Sequence, residues 1–266
     1  MKNRKRILVF ITCLSAAGPC FATDTAARRG DVYVGLFGGH GRSSPATLRQ
    51  QGTVYLAPPH LHPRLPIDAN GSTGNSDLSF GGAHVGYEWD GWTQGSAWGL
   101  RPALELEGLY LGTHSPTGVM PVDPAFLGTQ YVTIPMTAGV FLANAVITLR
   151  TPYSIHPYIG IGIGGALISI KDSDSANPSE PGINHFNSDP DSSDFAMAFQ
   201  FKAGIKAELC ENLDLFFEYR RLSIGATNHT FGATDYPGLH QPTAAWDIDL
   251  GRQSYNLFVV GLRLGF

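Results

Sequence analysis

Two histidines one residue apart, His60 and His62 in PPHLHPRLP, are the first side chains in this sequence whose spacing suggests chemistry. Imidazole binds zinc and haem iron. Two ligands on a proline-rich stretch do not make a centre, however, and neither a metal nor a cofactor is expected. His40, His114, His185, His229 and His240 are scattered among serines and aspartates, the residue types of a hydrolytic triad. None stands at a spacing that matches a nucleophile motif, so they read as solvated loop histidines and no enzyme is expected. Gly160, Gly162 and Gly165 in PYIGIGIGGALISI fit the G-x-G-x-x-G of a dinucleotide-binding turn. That turn requires a helix behind it, and SIKDSDSANPSEPG cannot form one. The run reads instead as a strand with Ile159, Ile161 and Ile163 on one face, while Gly160, Gly162 and Gly164 leave room for bulky neighbours on the other. Cys210 lies beside Glu211 with no basic residue near in sequence to activate it, so its thiol reads as incidental.

The elements that would position these residues are strands. The chain of 266 residues carries 32 glycines, 11% aromatic and 15% charged residues, against a usual charged share of about 25%. A net charge of −4 gives no footprint for nucleic acid. The start, MKNRKRILVFITCLSAAGPCFATD, has a basic segment, a short apolar core and Ala22 before Thr23, the layout of a secretory signal peptide. Residues 1–22 are therefore set apart from the domain expected over 23–266. Their removal takes away Cys13 and Cys20, leaving Cys210 as the sole thiol and ruling out an internal disulfide. No later run has the 18 apolar residues of a membrane helix. What recurs is alternation with period two, which separates the faces of a strand. In DFAMAFQFKAGIKAEL the odd positions from Phe195 to Leu209 are apolar, whereas Gln200, Lys202, Lys206 and Glu208 fall on the even ones.

This pattern predicts eight strands, at 31–40, 78–90, 98–111, 135–149, 157–170, 194–209, 213–224 and 252–266. Gaps after the second, fourth and sixth are short. Those after the first, third, fifth and seventh are long and rich in Pro, Gly, Ser, Asn and His, covering 41–77, 112–134, 171–193 and 225–251. The expected fold is all-β: an eight-stranded antiparallel up-and-down transmembrane β-barrel with short periplasmic turns and four long extracellular loops. A soluble sandwich would bury the apolar face instead. Aromatics near strand ends, such as Tyr87, Trp89, Trp98 and Tyr110, favour a bilayer. The other face would then line a lumen carrying Glu88, Arg101, Glu105, Glu107, Asn144, Arg150, Lys202, Lys206, Glu208, Glu218, Arg220 and Arg263. Eight strands leave an interior only wide enough for side chains, so these charges should pair into a network that fills it.

The final strand, YNLFVVGLRLGF, keeps apolar residues at every second position down to Phe266, as a strand that closes a barrel must. Together with GDVYVGLFGGH, PYIGIGIGGA and FKAGIKAELCENLDLFFEYRRLSIG, it gives the chain a resemblance to the small outer-membrane β-barrels of Gram-negative bacteria, the OmpA-like and opacity-like surface proteins. The resemblance implies that Gly261, Leu264 and Phe266 form the C-terminal signal read during barrel assembly, although an aromatic is commoner at the Leu264 position. It also implies outer-membrane location after export and contact with outer-membrane lipid and lipopolysaccharide. Periplasmic chaperones and the barrel-insertion machinery are further implied partners, and nucleic acid is not one. No peptidoglycan-binding domain is expected. The implied function is a structural role, or adhesion or ligand contact through the extracellular loops, including host contact. The alternatives are a narrow pore for small solutes and an enzyme acting on lipid or peptide at the outer rim.

Overall fold

A computed structural model describes residues 31–55, 64–91, 98–237 and 241–266. The expected signal peptide and His60, His62 and His240 lie outside the described residues. In chain order the strands are β1 (Asp31–Ser43), β2 (Thr47–Tyr55), β3 (Arg64–Thr73), β4 (Ser76–Glu88) and β5 (Gly99–His114). They continue with β6 (Thr117–Asp123), β7 (Thr129–Thr133), β8 (Met136–Arg150), β9 (Ile155–Ile170) and β10 (Asp174–Ala176). The last five are β11 (Ser192–Cys210), β12 (Leu213–Ile224), β13 (Thr227–Phe231), β14 (Trp246–Leu250) and β15 (Gln253–Gly265).

Eight of them close an antiparallel barrel in the order β1-β15-β12-β11-β9-β8-β5-β4, with β4 returning to β1. These are the eight read from the alternation, and the largest end offsets, three residues, fall at Ser43 and His114. Apolar side chains stand outward, with Leu36, Leu106, Phe141, Ile161 and Phe258 at 71, 65, 72, 65 and 66% exposure. An apolar wall of that extent has no place in water and matches the hydrocarbon of a bilayer. Trp89 and Trp98 mark its edge at the short-turn end, and Tyr110 stands exposed toward the other. Inward glycines make room for the lumen rings: a Cβ at Gly86 would run into Tyr33, at Gly82 into Phe37, and at Gly261 into Phe216. Gly162 faces Asn144 and Gly160 faces Lys202 in the same way.

The long connections carry strands of their own. They rise as a second sheet, ordered β10-β7-β6-β3-β2-β14-β13, stacked on the barrel. Each strand pauses at one level, at Pro45, Gly74, Pro116, Pro135, Gly225 or Gly251, where the ladder cannot run straight. Hydrogen bonds bridge the pause: Thr73 N–H donates to Ala46 O (2.8 Å), Ile134 N–H to Pro116 O (3.0 Å) and Gly251 N–H to Thr47 O (2.9 Å). Above it the period-two pattern resumes, burying Leu48, Ile67, Met120, Val132, Phe231, Trp246 and Ile248. Arg49, Asn70, Asn228 and Asp247 face out. The upper tier thus has an apolar inside and a largely polar outside, with Val119, Phe126 and Tyr131 exposed on it. The barrel below has apolar residues outside.

Candidate functional site

All eight barrel strands contribute to a polar layer that fills the lumen from the short-turn end. Glu88 ends β4 at the short-turn side. Its Oε2 accepts from Lys206 Nζ (2.6 Å), Arg263 Nη1 (3.1 Å) and Thr148 Oγ1 (3.3 Å), and its Oε1 accepts from Arg101 Nη1 (3.2 Å). The Arg263 guanidinium lies 3.6 Å above the Tyr33 ring and 3.7 Å from Asp214 Oδ2. One level higher, Glu105 is held by Lys202 Nζ and by the Tyr33 hydroxyl (2.8 Å). Glu107 accepts from Arg220 Nη1 (2.7 Å), Gln200 Nε2 (3.2 Å) and Asn144 Nδ2 (3.3 Å). Arg220 Nε reaches Glu218, which also accepts from Tyr158 OH (2.9 Å), and its guanidinium covers Phe37 at 4.1 Å.

The cluster is charge-balanced. Carboxylates Glu88, Glu105, Glu107, Asp214 and Glu218 face bases Arg101, Lys202, Lys206, Arg220 and Arg263. Above it the interior turns apolar, with Leu109, Leu111, Val140, Ile168, Leu222 and Leu257 buried.

Two residues expected in this network lie apart from it. Arg150 ends β8 and is exposed, because the strand has already left the enclosed section there. Glu208 sits at the same rim, where its Oε1 meets His156 Nε2 at 2.8 Å. Tyr33, His84, Tyr158 and Thr148 also join the layer; they share the inward parity of the charged residues but carry no full charge that would flag them in the sequence. His84, Glu105 and Glu107 bring ligand atoms within 4.8 Å of one another. Lys202 and Arg220 already occupy these carboxylates, so a divalent cation would have to compete with two built-in ones. Gly261 lies inward against Phe216, whereas Leu264 and Phe266 face outward, and Phe266 N–H donates to Val32 O (2.9 Å). Cys210 is a half-buried free thiol at the end of β11.

Among the described residues, the histidines expected in loops are packed rather than solvated at His114, His185 and His229. His185 Nε2 meets Glu180 Oε2 (2.7 Å), and its Nδ1 meets the Ser175 carbonyl (2.8 Å). His114 is buried with Nε2 3.4 Å from Tyr255 OH, and among the described residues only His40 stands exposed. His229 lies between Ser192 Oγ (3.3 Å) and Thr227 Oγ1 (3.0 Å). Neither His185 nor His229 joins a serine hydroxyl to a carboxylate, which an acyl-transfer triad requires. Burial holds the His229 imidazole below its ordinary range, with the Asp194 charge partly offsetting it. The folded tier thus keeps His229 neutral, while an unfolded chain would take up a proton below about pH 6.5. Stability is present above that pH and falls as pH drops through it. Limited proteolysis of the folded barrel should cut the tier faster at pH 5 than at pH 7.5, and His229→Asn should narrow the difference. Equal rates in parent and variant at both pH values would reject this role.

No curated protein sequence matches the chain. Among solved structures, Neisserial surface protein A (NspA) aligns over 88% of this chain and 97% of its own, with 13% identity and a TM-score of 0.40. The outer membrane protein OprG from Pseudomonas aeruginosa aligns over 90% and 97%, with 13% identity and a TM-score of 0.47. Ail, the attachment invasion locus protein of Yersinia pestis, aligns over 81% and 98%, with 10% identity and a TM-score of 0.28. The model of the outer membrane protein beta-barrel domain matches residues 8–236, most of the length, and the chain belongs to that family of bacterial outer-membrane β-barrels.

Proposed function

We propose that the protein is a sealed barrel that works outside the cell, as a non-catalytic surface protein whose ordered upper tier contacts ligands beyond the membrane. The observation that supports this is the pairing of a closed lumen with a packed tier. Buried ion pairs around Glu88, Glu105 and Glu107 cross the lumen, and the four connections fold into a sheet with its own buried interior. A rigid platform presents outward side chains at low entropic cost on binding. Its outer face is tied by cross-strand pairs, with Arg49 Nη2 2.5 Å from Asp68 Oδ2 and Thr230 Oγ1 2.7 Å from Asp247 Oδ1.

The test has two parts. Purified protein in a planar bilayer should show no steady conductance; single-channel steps would replace this reading with a narrow pore. Cells lacking the protein should bind host surface or matrix less well than parent cells. Equal adhesion, together with no binding of purified protein to host components, would remove the contact role.

A further inference from the structure

The outer face of the tier differs in chemistry from one side to the other. Among the described residues, its large exposed apolar side chains are Val119, Phe126 and Tyr131, at 49, 74 and 48% exposure. All three belong to one hairpin, β6 and β7 with the 3₁₀ turn Ala125–Leu127 between them. Register sets Val119 directly beside Tyr131, flanked by Ser72 of β3 and Ala176 of β10. Across the tier, on β2, β13 and β14, the outward positions are Arg49, Asn228, Asp247 and Asp249.

The lack of charge extends downward from the hairpin. Over residues 108–149, which take in the upper part of β5, the hairpin and nearly all of β8, Asp123 is the only Asp, Glu, Lys or Arg, in a chain where such residues make up 15%. Yet the hairpin is not a continuation of the lipid-facing wall. Above Tyr110 the exposed positions are Thr113, Ser115 and Thr117, a polar collar that ends the apolar band before Val119. Strands tilted by about 40° climb about 2.5 Å per residue, so Val119 stands about 45 Å above Leu100 at the foot of the wall, whereas the apolar band of a barrel is about 25 Å tall. The patch therefore faces water, beside the barrel rather than over its mouth, and an apolar patch in water marks a contact surface.

A partner for this face must stand next to the barrel in the same membrane and offer an uncharged, apolar surface at the same height. A second copy of the chain meets both conditions. Copies share one orientation and one depth in the bilayer, so a two-fold axis along the membrane normal brings hairpin to hairpin and wall to wall. We propose that the β6–β7 face is the contact between two copies of this chain. Lipid already covers the wall below, so association is driven from above the collar, where Val119, Phe126 and Tyr131 leave water. The uncharged column beneath lets the two barrels approach without desolvating an ion. A strip three strand spacings wide, about 15 Å, and about 45 Å tall projects to about 700 Å², close to the roughly 800 Å² per partner of a standard interface. The contact is independent of any ligand bound at the top of the tier.

The test uses the full chain refolded in detergent, each variant's fold checked by the unboiled gel shift and its mass by sedimentation equilibrium. The parent should sediment as two chains at micromolar concentration. Val119→Ser with Tyr131→Glu, both outward and so tolerated by the fold, should weaken association at least tenfold. Arg221→Glu, on β12 of the opposite wall, should associate as the parent does. In whole cells, Tyr131→Cys in a Cys210→Ser background, treated with a thiol-to-thiol cross-linker, should yield a product of two chains. The proposal is overturned if the parent sediments as a monomer, if the double variant associates as tightly as the parent, or if the cross-linked product in cells is absent or contains a different protein.

Discussion

Replacing Arg220 with methionine is expected to cost about 3–5 kcal/mol of barrel stability, the penalty for stripping the partner from buried charge. Arg220 is fully buried and serves two carboxylates at once, Glu107 at 2.7 Å and Glu218 on its own strand. Methionine would fill much of the volume over Phe37, which the guanidinium now covers at 4.1 Å, so the loss would be electrostatic rather than a cavity effect. Gln200, Asn144 and Tyr158 would still donate to these carboxylates, and Lys202 Nζ stays 3.6 Å from Glu107 and 4.0 Å from Glu218, but that one cation, already bound to Glu105, would then face three buried carboxylates. Urea titration followed by the gel shift measures this. Adding Glu107→Gln and Glu218→Gln to Arg220→Met should recover a large part of the loss, because no unpaired charge then remains. If Arg220→Met unfolds at the parent's urea concentration, the network fills space without stabilising the barrel.

Phe186→Ala carries the second large effect, about 3–5 kcal/mol for a buried aromatic, and it should fall on the tier alone. Phe186 is fully buried and stacks on Phe231 at 4.5 Å and 19°. It belongs to the segment 177–191, which has no strand of its own. Side chains hold that segment: Asn184 Oδ1 accepts from Ser175 N (3.0 Å) and Phe186 N (2.9 Å), and Thr234 Oγ1 donates to the His185 carbonyl (2.9 Å). Few ladder bonds back up that ring, so its loss should free the segment. Protease should cleave near 177–191 within the folded protein, while the barrel's gel shift in urea stays in place. A variant tier as resistant as the parent's would refute the assignment of Phe186 as its anchor.

The barrel was readable because outward Phe195, Met197, Phe199 and Phe201 alternate without interruption against Gln200 and Lys202. Lipid and lumen impose opposite demands on neighbouring residues, and that demand is written locally. The tier was not readable for an equally local reason. Pro45, Pro116 and Pro135 break three of the strands and Gly74, Gly225 and Gly251 the other three at the same level, and the resumed alternation in β6 or β14 spans too few residues to stand out among glycine and serine. Which charge meets which was also out of reach. Lys202 and Glu105 are 97 residues apart and Lys206 and Glu88 118, so only the strand register sets these pairs. The same register leaves Arg150 and Glu208 at the rim, although their parity matches the lumen residues.

Because acids and bases in the lumen cancel one another behind a continuous wall, mobile ions of the medium have little to displace there. Counterions screen exposed charges within about 10 Å at 0.1 M salt, but they reach enclosed pairs poorly. Arg42 with Asp77 and Arg49 with Asp68, both on the outside, loosen as salinity rises, while the interior plug keeps its strength. The barrel should accordingly hold its shape in dilute water and in brine alike, with only its outer decoration responding to the change.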